Sequence, residues 1–360
     1  VEIRNRAKTA QKFAATGLTL RVDERPGAFD HLSSDGRRFF MVGELHGIGP
    51  EALTQRIPRL FDGGRISALG NVAGGFAVVA ADPAVQTLLL ATDPFGIRPI
   101  YYWSNGQRVT FATRLPDLIR VGNLRPNLDW TALYHYLNFS YVPGPATIFR
   151  DIFVLPPGSL ALCAKGKVEV TSYWDLSYPG DATGSERELA ASLRREIKRA
   201  VRESWPPVRE RGTVGCFLSG GTDSGTIAAI ASTIEAPLKA YSLAFTENPY
   251  NELTYAKILA DRYRLDHRVH HLTADDLLES IPLLVAALDQ PFGNPSAVAT
   301  WSCARLANET GVELLLAGDG GDELFGGNER YAKDRVYALY HRLPQWSRHG
   351  ILRITNALPE

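Results

Sequence analysis

Cysteine is scarce. Three occur in 360 residues, Cys163, Cys216 and Cys303, far apart and at no metal-ligand spacing. That excludes a disulfide-stapled scaffold and a zinc ribbon, and each reads as a small core residue. So few thiols, with no secretory leader, point to a reducing cytoplasm. No apolar run reaches the length that spans a bilayer. No charge of either sign prevails: Lys+Arg and Asp+Glu are 39 each. That balance argues against a nucleic-acid or membrane partner. There is no internal repeat and no low-complexity tract. The basic first residues, Arg4, Arg6, Lys8 and Lys12, read as a frayed or cropped terminus rather than a targeting peptide. What remains is ordinary globular material, 45% apolar and 22% charged, long enough for two domains with proper cores.

Two patterns divide the chain. Up to about residue 176 the signals are mostly strand: Arg37 to Val42, Gly75 to Ala81, Val85 to Ala91, Ile100 to Trp103, Arg108 to Ala112, and a hairpin-like pair around Gly158 to Val170. Turns fall at Asp82-Pro83-Ala84 and Asn105-Gly106. Helices are expected over Glu51 to Phe61 and Trp130 to Leu137. The aromatic residues from Trp130 to Tyr141 read as domain-interface core. Ser177 to Gly184, rich in Gly, Ser and Pro, reads as a linker, so the expected domains are 1–176 and 185–360. After the amphipathic helix Glu186 to Glu203, strand and helix alternate. Strands are expected at 214–218, 240–245, 267–272 and 313–317. Helices fall at 252–263, 275–288 and 297–308, with one more starting near Glu323. Alternation of this kind predicts a parallel sheet covered on both faces, with ligands at the strand C-terminal ends.

The second half is organised around Val214-Gly-Cys-Phe-Leu-Ser-Gly-Gly-Thr-Asp-Ser224. A short buried strand turns through two glycines into a helix, which aims several backbone N–H groups and a helix N-terminus at one spot. Ser219, Thr222 and Ser224 add hydroxyls. The result is a site for phosphate oxygens. The Gly-Lys-Ser/Thr of a Walker loop is lacking, and so is the third glycine of a dinucleotide fingerprint. A carboxylate, Asp223, sits where it would repel phosphates unless a divalent cation lies between. The loop therefore implies a magnesium–polyphosphate ligand. Leu314-Leu-Leu-Ala-Gly-Asp-Gly-Gly-Asp-Glu323 repeats the design: a strand, small residues, then Asp319, Asp322 and Glu323. Beside a loop that needs a cation, this acidic turn reads as metal-binding rather than merely solvated. His46, His267, His270 and His271, with no acid or Cys at ligand spacing, read as structural or surface residues.

Ser219-Gly-Gly-Thr-Asp-Ser224 resembles the pyrophosphate loop of the N-type ATP pyrophosphatases. Paired with Gly318-Asp-Gly-Gly-Asp-Glu-Leu-Phe-Gly-Gly327, it is similar to the asparagine synthetase B family. Asp93-Pro-Phe-Gly-Ile-Arg-Pro-Ile-Tyr-Tyr102 and Val154-Leu-Pro-Pro-Gly-Ser159, leading to Tyr173-Trp174, resemble that family's amidotransferase half. The resemblance implies an Ntn-hydrolase-like antiparallel β domain followed by a parallel-sheet PP-loop domain. It also implies ATP and Mg2+ as cofactors, a small-molecule or peptide carboxylate substrate, and ammonia or an amine as donor. A homodimer is compatible with it. The implied chemistry is adenylation of the carboxylate with release of pyrophosphate, then attack by the amine. Carried over by position, Ser219, Gly220, Gly221, Thr222, Asp223 and Ser224 cradle the pyrophosphate. Asp223 and Asp322 hold magnesium, and Leu218, Ser242, Ala317 and Gly318 line the nucleotide site. Asp319 takes the proton of the attacking amine.

The sequence departs from the family at several places. Glutamine-hydrolysing members open with a catalytic Cys, and here none precedes Cys163. Gly47, in Val42-Gly-Glu-Leu-His-Gly47, stands where an oxyanion-binding Asn is expected, so the glutaminase half is expected to be inactive. Asp289-Gln-Pro-Phe-Gly-Asn-Pro-Ser296 replaces a Thr-Thr-Ile-Arg stretch that helps hold aspartate, with Asn294 near the Arg position. The family also runs on well past the position of Glu360 and supplies a catalytic Lys there. The expected activity is an AMP-forming amide ligase. The alternatives are an intramolecular amide former resembling β-lactam synthetase or lasso-peptide cyclase, and a nucleotide-binding scaffold without catalysis.

Overall fold

A computed structural model describes residues 28–32, 36–46, 53, 55, 69–82, 84–177, 180, 183–205, 212–245, 253–344, 347 and 348. Gly47 and nearly all of the expected helix from Glu51 to Phe61 lie outside them. The chain divides into two compact units: Val1–Pro206 with Leu277–Val298, and Pro207–Asp276 with Ala299–Glu360. Each is described by itself. The first unit thus runs past the 177–184 stretch and takes in a second segment, far away in sequence.

In the first unit, β1 (Ala28–Leu32), β2 (Arg38–His46), β3 (Ala73–Asp82) and β4 (Thr87–Thr92) form consecutive antiparallel pairs. β5 (Tyr101–Ser104) and β6 (Val109–Ala112) form a hairpin, followed by α1 (Leu115–Gly122) and α2 (Trp130–Phe139). β7 (Ile152–Val154) pairs with β5, while β8 (Ser159–Ala164) and β9 (Lys167–Ser172) extend the first sheet. The result is a six-stranded antiparallel sheet, β1-β2-β3-β4-β8-β9, and a three-stranded sheet, β6-β5-β7.

The central strands of the large sheet are buried on both faces, which is why β3 and β4 read as unbroken apolar runs rather than alternating ones. Phe76, Val78 and Ala80 of β3 pack with Leu89 and Ala91 of β4 and with Leu53, Leu69 and Val72. The intervening Ala77, Val79, Leu88 and Leu90 face Ile100, Leu155, Tyr102 and Phe111 on the small sheet's side. Each fully buried Leu or Val contributes about 1.5–3 kcal/mol.

Two expectations need correction. β4 starts at Thr87, not Val85, because the Asp82 carboxylate accepts from Ala84 N at 3.0 Å and from Arg37 Nε at 2.6 Å. That Asx-type bond lengthens the turn, with Gln86 at φ 52. Nor do all the aromatics of α2 form a core: Tyr136 packs with Ala132, Val142 and Ile148, but Trp130 and Tyr134 are 66% and 65% exposed. Only Ala132 on that helix is buried.

α3 (Glu186–Glu203) is started by a capping box between Ser185 and Glu188. In the second unit β10 (Val214–Phe217) leads into α4 (Thr222–Ala231). β11 (Lys239–Phe245), α5 (Leu253–Tyr263) and β12 (Asp266–Leu272) follow. The chain continues through α6 (Ala274–Ala287), α7 (Ser296–Glu309), β13 (Leu314–Leu316), α8 (Gly321–Phe325) and α9 (Glu329–Arg342). The four strands are parallel in the order β12-β11-β10-β13. Cys303, Ala307 and Val312 pack on Tyr241, Phe217 and Leu315 of this sheet. All three cysteines are buried and free, as their composition led us to expect. Among the described residues no helix is long and apolar enough to cross a membrane.

Candidate active site

In the order β12-β11-β10-β13, the chain builds outward from β10 through β11 to β12, then returns to lay β13 on β10's other side. The reversal opens a crevice between β10 and β13, at the strands' C-terminal ends, where ligands of open α/β sheets bind. Both glycine-rich loops emerge there. The pairing is in register, Val214 with Leu314 and Cys216 with Leu316, so the two strand tips stand one strand spacing apart, about 4.8 Å.

The first loop is held by its own hydroxyls. Ser219 N donates to Ser224 Oγ at 3.1 Å, the two serine hydroxyls lie 2.9 Å apart, and Gly221 N donates to Ser219 Oγ at 3.2 Å. Gly220 takes φ +92, a left-handed conformation that costs glycine little. Gly225 N makes α4's first helical bond, to Gly221 O at 3.1 Å. The helix has no side-chain cap. Its N-terminus is exposed at Gly221 and Thr222, so the backbone donors of the first turn after Gly221 are open to an anion.

The second loop closes on the first. A Cβ on Gly318 would lie 2.8 Å from both the carbonyl carbon of Asp223 and Ser224 N, and 2.9 Å from Asp223 Cβ. One on Gly321 would overlap Asp223 Oδ2, and one on Gly327 would overlap Asp322 Oδ1. The Asp223 side chain therefore rests against the backbone of the Gly318–Gly321 turn, an approach only glycine allows. Ala317, Asp319, Asp322 and Glu323 are exposed around it.

Leu218 and Ser242 lie beneath the loops, both buried. Leu218 N donates to Tyr241 O at 2.8 Å, and Ser242 Oγ donates to Leu218 O. Ser242 Oγ also lies 2.7 Å from His267 Nε2. Because the hydroxyl proton goes to Leu218 O, the imidazole must donate through Nε2–H. Burial pushes the His267 pKa below its usual value, against the pull of Asp261.

In the sequence His267 reads as a structural or surface residue, and nothing there points to Ser242 as its partner. Its partner becomes visible only once β11 and β12 are paired, Ala240 beside His267. His270 takes the structural role expected of it, its Nε2 lying 3.4 Å from Asp276 Oδ2. That carboxylate, bound to Thr273 N and Thr273 Oγ1 and 3.2 Å from Arg305 Nη2, is held down to about 2. Its partners cap α6 and tie it to α7, a structural set away from the loops.

Residues 192–357 match the asparagine synthase family and residues 60–174 the glutamine amidotransferase domain. Asparagine synthetase (glutamine-hydrolyzing) 1 of Bacillus subtilis is 28% identical over 295 residues, covering 81% of this chain and 46% of that protein. A putative asparagine synthetase (glutamine-hydrolyzing) of Mycobacterium tuberculosis is 29% identical over 298 residues, covering 81% and 45%. The chain spans about half the length of these curated relatives. A solved glutamine-dependent NAD+ synthetase from Acinetobacter baumannii overlaps 57% of this chain and 44% of its own, with 16% identity and a TM-score of 0.28, a likeness too slight to bear on function. The two domain matches, in this order on one chain, make it a homologue of the asparagine synthetases, with an amidotransferase domain ahead of an asparagine synthase domain.

Proposed function

We propose that this chain is the catalytic part of an AMP-forming amide ligase. A carboxylate oxygen of the acceptor attacks the α-phosphorus of ATP, the α–β bridging bond breaks, and pyrophosphate leaves. Ammonia or an amine then attacks the acyl carbon, and the bond from that carbon to the AMP oxygen breaks. The nitrogen gives its proton to the exposed Asp319 carboxylate. The observation that carries this reading is the contact of Asp223 with the Gly318–Gly321 turn, on two parallel strands that are direct neighbours.

The residues present suit the parts assigned to them. The Ser219–Ser224 loop offers N–H and hydroxyl donors to the leaving pyrophosphate, whose charge grows as the bond breaks. Leu218 and Ser242, buried and bonded to each other, form the floor that supports the nucleotide, and Ala317 and Gly318 form its rim. Among the described residues no group of three or more His, Cys, Asp or Glu side chains could hold a metal by itself. Two carboxylates, Asp223 and Asp322, with phosphate and water oxygens completing the shell, are a set that suits Mg2+. That ion would neutralise charge on the departing phosphates. No strong protein nucleophile is required.

The test is ATP–pyrophosphate exchange with L-aspartate, L-glutamate and a peptide carboxylate as acceptors. The wild-type chain should exchange with at least one, and Asp223→Ala should exchange about 100-fold more slowly or worse. Exchange that is equally fast in Asp223→Ala would refute the assignment. ATP binding with no exchange on any acceptor would favour a nucleotide-binding scaffold.

A further inference from the structure

The segment Leu277–Val298 belongs to the first unit although it lies within the asparagine synthase match. A dense set of polar bonds holds it there. Arg114 Nε meets Asp289 Oδ1 at 2.5 Å, and Arg114 Nη2 donates to Ala287 O at 2.8 Å. Ile148 N donates to Gln290 Oε1 at 2.9 Å, Gly293 N donates to Ser140 O at 2.7 Å, and Tyr141 bridges to Phe292. The Asp289 side chain is 11% exposed and Arg114 32%, so this is a largely desolvated, charge-assisted pair rather than a rim contact. Buried Tyr101 stands beside Asp289 and Gln290. Burial, then the Asp289 charge, raises its phenol to about 12, so it is a neutral hydroxyl there. The spacings of these partners, 175, 173 and 142 residues for the side-chain bonds, mark a tertiary clamp, not local chain geometry.

Immediately after the clamp, Asn294 Oδ1 accepts from Ser296 N at 3.0 Å and α7 begins. The chain passes from the first unit to the second within that helix, between Val298 and Ala299. Past α7 come β13 and the acidic turn that carries Asp319 and Asp322. The clamp therefore fixes the start of the one helix that leads into the second loop of the candidate site.

We infer that Arg114 is a positioning residue of the ligase: it fixes residues 287–293 and the start of α7, the helix from which the chain runs on through β13 to the acidic turn. This rests on the ligase reading above. Arg114 touches no reacting group. It acts by holding in place the segment that delivers the acidic turn, and a misplacement on the order of 1 Å at such a site costs roughly 100-fold in rate.

The experiment compares wild type, Arg114→Ala, Arg114→Lys and the charge swap Arg114→Asp with Asp289→Arg. The readouts are hydrogen exchange of the 287–300 amides, melting temperature, and kcat and KM for ATP in pyrophosphate exchange. In Arg114→Ala, amides of 287–300 should exchange at least 10-fold faster and kcat should fall about 10-fold or more. KM for ATP should change less than 3-fold, since the first loop is untouched, and the melting temperature should stay within a few degrees of wild type. Lysine and the charge swap should each recover part of both losses. Unchanged protection and kcat in Arg114→Ala overturn the inference. So does a kcat loss that follows a collapse in melting temperature and is recovered by neither compensating variant. A wild-type chain with no exchange on any acceptor sinks the ligase reading instead, while the hydrogen-exchange arm still decides whether Arg114 holds the segment.

Discussion

Gly318→Ala offers the sharpest steric probe of the candidate site. A methyl there would lie 2.8 Å from a backbone carbon and a backbone nitrogen of residues 223 and 224, and 2.9 Å from Asp223 Cβ. Ordinary contact begins near 3.4 Å, so the loops must part by about 0.6 Å. None of the three atoms is the free end of a flexible side chain, so that movement passes into the start of α4 and the Asp223 carboxylate. Overpacking of this kind costs about 1–3 kcal/mol, which for the second unit is a fall on the order of 5–10 °C in melting temperature. ATP affinity, measured by calorimetry with Mg2+ present, should fall at least 10-fold, because the phosphate donors and the carboxylate move together. Gly221→Ala is the control for stability. Its φ of −71 suits alanine, and its methyl would meet only Ser219 Oγ at 3.3 Å, so its melting temperature should stay within about 2 °C of wild type. If Gly318→Ala melts and binds ATP as wild type does, the two loops are not in contact and the reasoning fails.

Burial pushes the thiols of Cys163, Cys216 and Cys303 up to about 12, so the native chain should be inert to a thiol reagent at pH 8. All three should titrate after unfolding in guanidinium, and a thiol that reacts quickly in the native chain would contradict the packing described. Asp276, held down to about 2 from an ordinary 3.8, stabilises the fold fully above pH 3.8, and that contribution is lost as pH falls from there through about 2. Urea titrations between pH 5 and pH 2 should show Asp276→Asn with a shallower loss of stability than wild type; parallel curves would remove Asp276 from the acid response.

The strand–turn–helix at Val214–Ala231 was legible because its information is local: a strand, two glycines and a helix-forming run follow one another directly. The parallel sheet was legible because strand and helix alternate after Val214. The clamp was not, since nothing near Arg114 in sequence announces Asp289, 175 positions on, and its meaning exists only once residues 277–298 lie on the first unit. The bond from Ser242 to His267 depends on the β11–β12 register in the same way. The aromatic run from Trp130 to Tyr141 misled for the opposite reason. Its composition is that of a core, but Trp130 and Tyr134 fall on the exposed side of α2, while Ala132, Leu133 and Tyr136 pack inward.

The most direct test of a single site built from two loops is a double-mutant cycle on Mg2+-dependent ATP affinity. Its variants are Asp223→Asn, Asp322→Asn and the two together. Carboxylates that serve one ion lose most of their effect when either is removed, so each single change should weaken binding about 10–100-fold and the pair only a few-fold beyond the worse single. That is a coupling of about 1–3 kcal/mol. Losses that simply multiply, or an affinity indifferent to either change, would mean that Asp223 and Asp322 do not share a ligand.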